Sequence, residues 1–132
     1  MALVKQGIMN PNLQGIIFRS GKVQTLPDVT KFKTIVNFCC EADVVDSSQT
    51  TLLHFPFPDK LNVCDLHDEG TKRWCHRVLE GIAHSSFPLL FHCFSGKDRT
   101  GVIAAILQKI WNVPDELITQ DYNHSDGELF SI

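Results

Sequence analysis

Long apolar runs are missing from this 132-residue chain, and none approaches the roughly 20 residues that a membrane helix needs. An integral membrane segment is therefore not expected. A basic surplus is missing too: 12 Lys+Arg face 15 Asp+Glu, a formal net charge of -3, so a general nucleic-acid binder is excluded. There is no internal repeat, low-complexity tract or Ser/Gly linker. There is also no Cys-x2-Cys pair. Cys64-x2-His67 and Cys75-His76 are the only spacings near those of metal ligands, and adjacent helical residues point to different faces. No metal or cofactor is expected. The five cysteines are odd in number, and Met1–Gln6 lacks a charged region leading into an apolar block. Both features argue against secretion and a disulfide scaffold, and for reduced thiols in the cytoplasm. What remains is 43% hydrophobic and 20% charged residues, the balance of one globular domain over residues 1–132, expected to be a monomer.

The apolar segments alternate between short runs and helical patterns, which predicts an α/β fold with a mostly parallel sheet of four or five strands flanked by helices on both faces. Ile16-Ile17-Phe18 reads as a short strand closed by Arg19-Ser20-Gly21. Thr25-Leu26-Pro27-Asp28 has the pattern of a helix start, for a helix reaching about Lys33. The β-branched run from Thr34 to Cys39 predicts a central strand, and Leu52–Phe55 another, with a polar stretch between them. Trp74, Cys75, Val78, Leu79 and Ile82 fall at helical spacing within Glu69–Ala83. Pro88–His92 predicts a buried strand and Thr100–Trp111 a deeply packed helix. Asn112 suits a left-handed cap, and Pro114 the first residue of a further helix.

Chemistry concentrates in His92-Cys93-Phe94-Ser95-Gly96-Lys97-Asp98-Arg99-Thr100-Gly101, which joins that buried strand to that buried helix. The carboxyl end of a parallel strand is where open α/β sheets bind ligands, and a helix N-terminus presents free amides to an anion. Gly96 lets the loop curl so that successive amides point inward. Cys93 starts the loop beside those amides and Arg99, a setting of the kind that lowers a thiol pKa from about 8.5 to roughly 3.5–7.5. Arg99 offers a planar fork for two phosphate oxygens. Thr100 has a hydroxyl able to donate to the Cys93 sulfur. Asp98 reads as structural, or as an orienter of the loop or of water. His92 reads as ordering the loop. A nucleotide-binding P-loop fails on spacing, because Gly96-Lys97 is followed by Asp98 and not by Ser or Thr.

Cys-x5-Arg preceded by His and followed by Thr-Gly resembles the signature of the cysteine-dependent protein tyrosine and dual-specificity phosphatase superfamily. The Gly96-Lys97-Asp98-Arg99-Thr100 variant looks like that of the atypical bacterial-type tyrosine/lipid phosphatases, and is similar in part to tensin-like and myotubularin phosphoinositide phosphatases. The likeness extends to Phe18-Arg19-Ser20-Gly21, to the strand at Ile35, and to Val113–Glu116 through Asp121-Tyr122. It implies a metal-independent phosphomonoester hydrolase working through a cysteinyl-phosphate. Its substrates would be phosphotyrosine, with phosphoserine/threonine or phosphoinositides as further candidates. Phe94, Ser95, Gly96, Lys97, Asp98 and Arg99 would then bind phosphate.

The general acid must come from another loop. Asp59, in Phe57-Pro58-Asp59-Lys60, stands where the family places its acid, and Asp65 and Asp68 are the alternatives on the same loop. Phe55, Phe57 and Phe94 are candidates to clamp a substrate ring. Lys97 is either a solvated charge or a contact for a second phosphate. Cys40 or Cys64 is a candidate resolving thiol for an oxidised Cys93, with core filler as the plainer reading. His54 reads as a core or rim residue. Two other functions compete with the phosphatase: a silent phosphate-binding module and a rhodanese-like sulfurtransferase. The second also places Cys at a strand end, but its loops are typically shorter and lack the Thr-Gly after Arg.

Overall fold

The computed structural model describes residues 16–21, 31–43, 49–57, 65–93, 98–124 and 130–131. Four parallel strands make the sheet: β1 (Ile17–Ser20), β2 (Thr34–Asn37), β3 (Thr51–His54) and β4 (Leu89–His92). A two-residue strand, β5 (Phe130–Ser131), adds antiparallel to β1, and the order is β3-β2-β4-β1-β5. The helices are α1 (Glu69–Ala83), α2 (Asp98–Ile110) and α3 (Asp115–His124). The fold is thus α/β, with three described helices on a parallel sheet.

Strand β4 lies between β2 and β1, with Asn37 and Ser20 both level with His92. Every residue of β2 and β4 is buried, as expected of parallel strands covered on both faces. β3 is the edge strand and is largely exposed. Side chains alternate along a strand, so Ile17, Val36, Leu89 and Phe91 share one face. There they join Trp74, Val78 and Ile82 of α1, and Val102, Ile103 and Leu107 of α2, in a single core. Both long helices therefore pack on the same face, and helices on both faces are not seen among the described residues. The opposite face carries Phe18, Ile35 and Leu90, with the Phe32 ring edge-on to Phe18 at 5.3 Å.

α1 occupies the range its periodicity predicts, and all five of its predicted apolar residues are buried. Asp68 starts it, accepting from the amides of Gly70 at 2.8 Å and Thr71 at 3.1 Å. Burial pushes the Cys75 thiol up to about 11, which keeps it a neutral core group. α2 begins two residues before the predicted start, and Thr100 to Ala104 are buried without a break. Gly101 lacks a side chain where the Tyr122 ring of α3 arrives; a Cβ there would stand 2.9 Å from a ring carbon. Asn112 takes the left-handed conformation with φ 61°, and the Pro114 carbonyl accepts from Leu117 and Ile118 at the head of α3, which starts at Asp115. The predicted helix from Thr25 begins outside the described residues, and its predicted end at Lys31–Lys33 is turn and bend.

β1 corrects the sequence reading most. It runs on through Arg19 and Ser20, both 1% exposed, where polarity predicted a strand end. Arg19 lies on the helix-covered face, and its Nη2 donates to Asp121 Oδ1 of α3 at 3.2 Å. A buried charge is tolerated only when paired. Arg19→Ala would leave Asp121 without this cation and open a large void. We expect a loss of about 3–5 kcal/mol, the usual consequence of breaking a buried ion pair from one side. Urea unfolding checks this: the midpoint should fall with the slope unchanged.

Candidate active site

The site grows from the carboxyl end of β4. Because β4 sits between β2 and β1, the chain leaves it at the crevice of the sheet, the usual ligand position in such folds. Cys93 is the first residue past the strand and is 1% exposed. Arg99 is the second residue of α2, half-buried, and its Nη1 donates to the carbonyl of Phe38 at 2.8 Å. The Phe38 amide in turn donates to the carbonyl of His92 at 2.9 Å, continuing the ladder to the last residue of β4 one step beyond β2. The predicted nucleophile and the predicted arginine are thus tied to one backbone segment.

That segment, Asn37 to Asp43, was only the end of a strand and the start of a polar stretch in the sequence. Asn37 organises it. Its Oδ1 accepts from the Cys39 amide at 2.7 Å and its Nδ2 donates to the Glu41 carbonyl at 2.6 Å, which ends the strand two residues earlier than predicted. His54, exposed on β3, places Nε2 2.6 Å from the Cys39 carbonyl. Asp43 reaches back to His92, with Oδ2 2.7 Å from Nε2. An Asn at a strand end is the one sequence signal that marks such a turn.

Below the segment lies an aromatic stack. Phe38 meets Trp74 edge-on at 5.1 Å and Phe91 at 5.9 Å, and Phe57 meets Trp74 at 4.9 Å. The Trp74 indole N–H donates to the Phe55 carbonyl at 2.8 Å. Two of the three candidate ring clamps are therefore turned elsewhere. Phe57 is 6% exposed in this core, and the Phe55 ring lies against Gly81 of α1.

Thr100 Oγ1 is buried and has no hydrogen-bond partner among the described residues, so its anticipated bond to the Cys93 sulfur is not made. Asp98 is exposed at the head of α2, where its charge suits the helix dipole. Phe94, Ser95, Gly96, Lys97 and Asp59 lie outside the described residues. Of the other two acid candidates, Asp68 is occupied as the cap of α1, and Asp65 is exposed, with Oδ1 accepting from the His67 amide at 3.1 Å.

Among the cysteines, Cys40 is exposed and Cys64 lies outside the described residues. The thiol that shares the surroundings of Cys93 and Arg99 is Cys39. Burial raises its pKa above the usual value; the Arg99 charge opposes this, and Cys93 and Asp43 add to it. Among the described residues no group of His, Cys, Asp and Glu is arranged to hold a metal ion, and no helix is long and apolar enough to cross a membrane.

Residues 61–129 match the tyrosine phosphatase family, and the chain belongs to it. It is 39% identical over 60 residues to the triple specificity protein phosphatase PtpB of Mycobacterium tuberculosis, a stretch that is 46% of this chain and 21% of that protein. The chain thus spans about a fifth of that relative's length. In structure it is similar to the core catalytic domain of the PP-IP phosphatase SIW14 from S. cerevisiae, with TM-score 0.62 and 22% identity over 84% of this chain and 71% of the other. It is also similar to TpbA of P. aeruginosa, with TM-score 0.53 and 23% identity over 73% and 58% of the two chains. These two likenesses carry the α/β phosphatase fold.

Proposed function

We propose that the chain is a cysteine-dependent phosphomonoester hydrolase. The observation that carries this is Cys93 buried at the carboxyl end of the central strand, five residues before α2, with Arg99 held in the first turn by Phe38. In the first step the Cys93 sulfur, as thiolate, attacks phosphorus. The P–O bond breaks, and the leaving oxygen takes a proton from a carboxylic acid, for which Asp59 is the choice and Asp65 the alternative, because Asp68 is spent on its helix. In the second step the same carboxylate takes a proton from water, whose oxygen attacks phosphorus and frees the cysteine and inorganic phosphate. The amides heading α2 and the Arg99 guanidinium spread the charge of both transition states. Phe94, Ser95, Gly96, Lys97 and Asp98 complete the phosphate loop, and Thr100 eases departure of the thiolate once its hydroxyl turns to the sulfur.

Phosphotyrosine is the proposed substrate class. The triple specificity of PtpB and the PP-IP phosphatase activity of SIW14 extend the range to test toward other phosphoproteins and inositol phosphates. In this reading the chain acts as one cytoplasmic, monomeric domain; the one sheet among the described residues supports the single domain, and the odd cysteine count a reducing compartment. The test is phosphate release from a small aryl phosphate without added metal, then from phosphopeptides, phosphoinositides and inositol phosphates, with acid quenching to trap the intermediate. A phosphorylated peptide carrying Cys93 is expected. Folded protein that turns over none of these, or an intermediate on another residue, sinks the proposal.

A further inference from the structure

We propose that Asp43 is a positioning residue for the Cys93 loop, acting through His92; this rests on the phosphatase reading above. The Asp43 and His92 side chains are 5% and 2% exposed, and Oδ2 stands 2.7 Å from Nε2. A carboxylate carries no proton to give, so the ring N–H donates and the Asp accepts, a charge-assisted bond sheltered from water. The other ring nitrogen, Nδ1, is buried and has no hydrogen-bond partner among the described residues. Asp43 is therefore the described group that fixes the plane and tautomer of a ring one residue before the nucleophile.

The pair belongs to a larger clamp. Asn37 and His92 are level neighbours on β2 and β4, so their side chains leave the same face of the sheet, opposite the core that holds Phe91 and Cys93. After Phe38 the chain folds over that face, shaped by both ends of Asn37, and brings Asp43 down on the ring. The same short segment holds the His92 carbonyl through the Phe38 amide and the Arg99 guanidinium through the Phe38 carbonyl. It thus grips both ends of the loop that runs from Cys93 to Arg99. Burying a carboxylate against a ring N–H is seldom a net gain in stability over apolar residues of the same volume. Its presence against the ring preceding Cys93 is better accounted for by the register it imposes on that loop.

The test uses the whole chain and three variants: Asp43→Ala, the isosteric Asp43→Asn, and the conservative Asp43→Glu. In Asp43→Ala, kcat on an aryl phosphate should fall about tenfold to a hundredfold, the scale on which partners that orient a functional group act. KM should stay within about threefold, because the loss falls on the transition state. Asp43→Asn should lose activity in the same direction, and Asp43→Glu should recover most of it. Two readouts need no turnover. Proton NMR of the wild type should show a downfield His92 ring N–H that Asp43→Ala lacks. Iodoacetamide at pH 7, followed on the Cys93 peptide, should react more slowly in Asp43→Ala, and inorganic phosphate should protect it less.

Folded variants with wild-type kcat, alkylation rate and phosphate protection overturn the proposal, leaving Asp43 to hold only its own loop. Should Asp43→Ala not fold, Asp43→Asn decides by the same measurements. A wild type without turnover whose Cys93 alkylation still depends on Asp43 keeps the positioning role and removes the phosphatase reading instead.

Discussion

Cys93→Ser is expected to abolish turnover of an aryl phosphate, by on the order of 10⁴- to 10⁶-fold, the scale on which loss of a nucleophile acts. The substitution exchanges sulfur for oxygen and little else. A serine hydroxyl stays protonated at neutral pH, and the reaction as drawn has no base beside it to take that proton. Position 93 is 1% exposed and packed against the core, so the smaller oxygen is accommodated without a large void. Binding is a separate matter. In the proposed mechanism phosphate is held by amides at the head of α2 and by Arg99, none of which changes. Equilibrium binding of inorganic phosphate, by calorimetry or protection against proteolysis, should therefore stay within about tenfold of wild type, or about 1.4 kcal/mol. Activity lost with binding kept identifies Cys93 as the nucleophile. Activity kept would place the nucleophile elsewhere, and phosphate binding lost with activity would make Cys93 a structural thiol.

The parts of this arrangement that could be read from the sequence are those encoded locally. The range of α1 follows from apolar residues at helical spacing, and β4 and α2 from an apolar strand and a second apolar run. The parts that could not be read are non-local pairings of polar side chains. Asp43 and His92 are 49 residues apart, and Arg19 and Asp121 are 102 apart. Periodicity carries no trace of either partner. Polarity alone made Arg19 the end of a strand and Asp43 part of a loop. The sheet overrides polarity, because a strand paired with central β4 is buried whatever it carries, provided α3 supplies the counter-charge. Phe57 is lost as a ring clamp for a related reason. Phe57 follows an edge strand, yet the indole of Trp74 draws it into the core.

Arg99→Lys should lower kcat by about 10²- to 10³-fold, the usual loss when one aimed donor is removed from a developing anion, and Arg99→Ala by about 10³- to 10⁵-fold. A guanidinium has five N–H donors in a fixed plane. One is committed to the Phe38 carbonyl, which sets the plane and leaves four for phosphate oxygens. A lysine ammonium keeps the charge but offers three rotating donors on a flexible stem, and cannot hold Phe38 and grip two oxygens side by side. The charge alone should still attract the ground-state dianion, so KM should rise less than kcat falls in Arg99→Lys, and more in Arg99→Ala. The Phe38 carbonyl adds a second consequence. Losing the guanidinium removes one hold on the Asn37–Asp43 segment, while the Phe38 amide and Asp43 stay in place. The Asp43 and Arg99 substitutions should then be non-additive: in a double-mutant cycle, Asp43→Ala should cost less kcat in the Arg99→Lys background than alone. Strict additivity would mean that the two ends of the loop are held independently, and that the segment is no clamp.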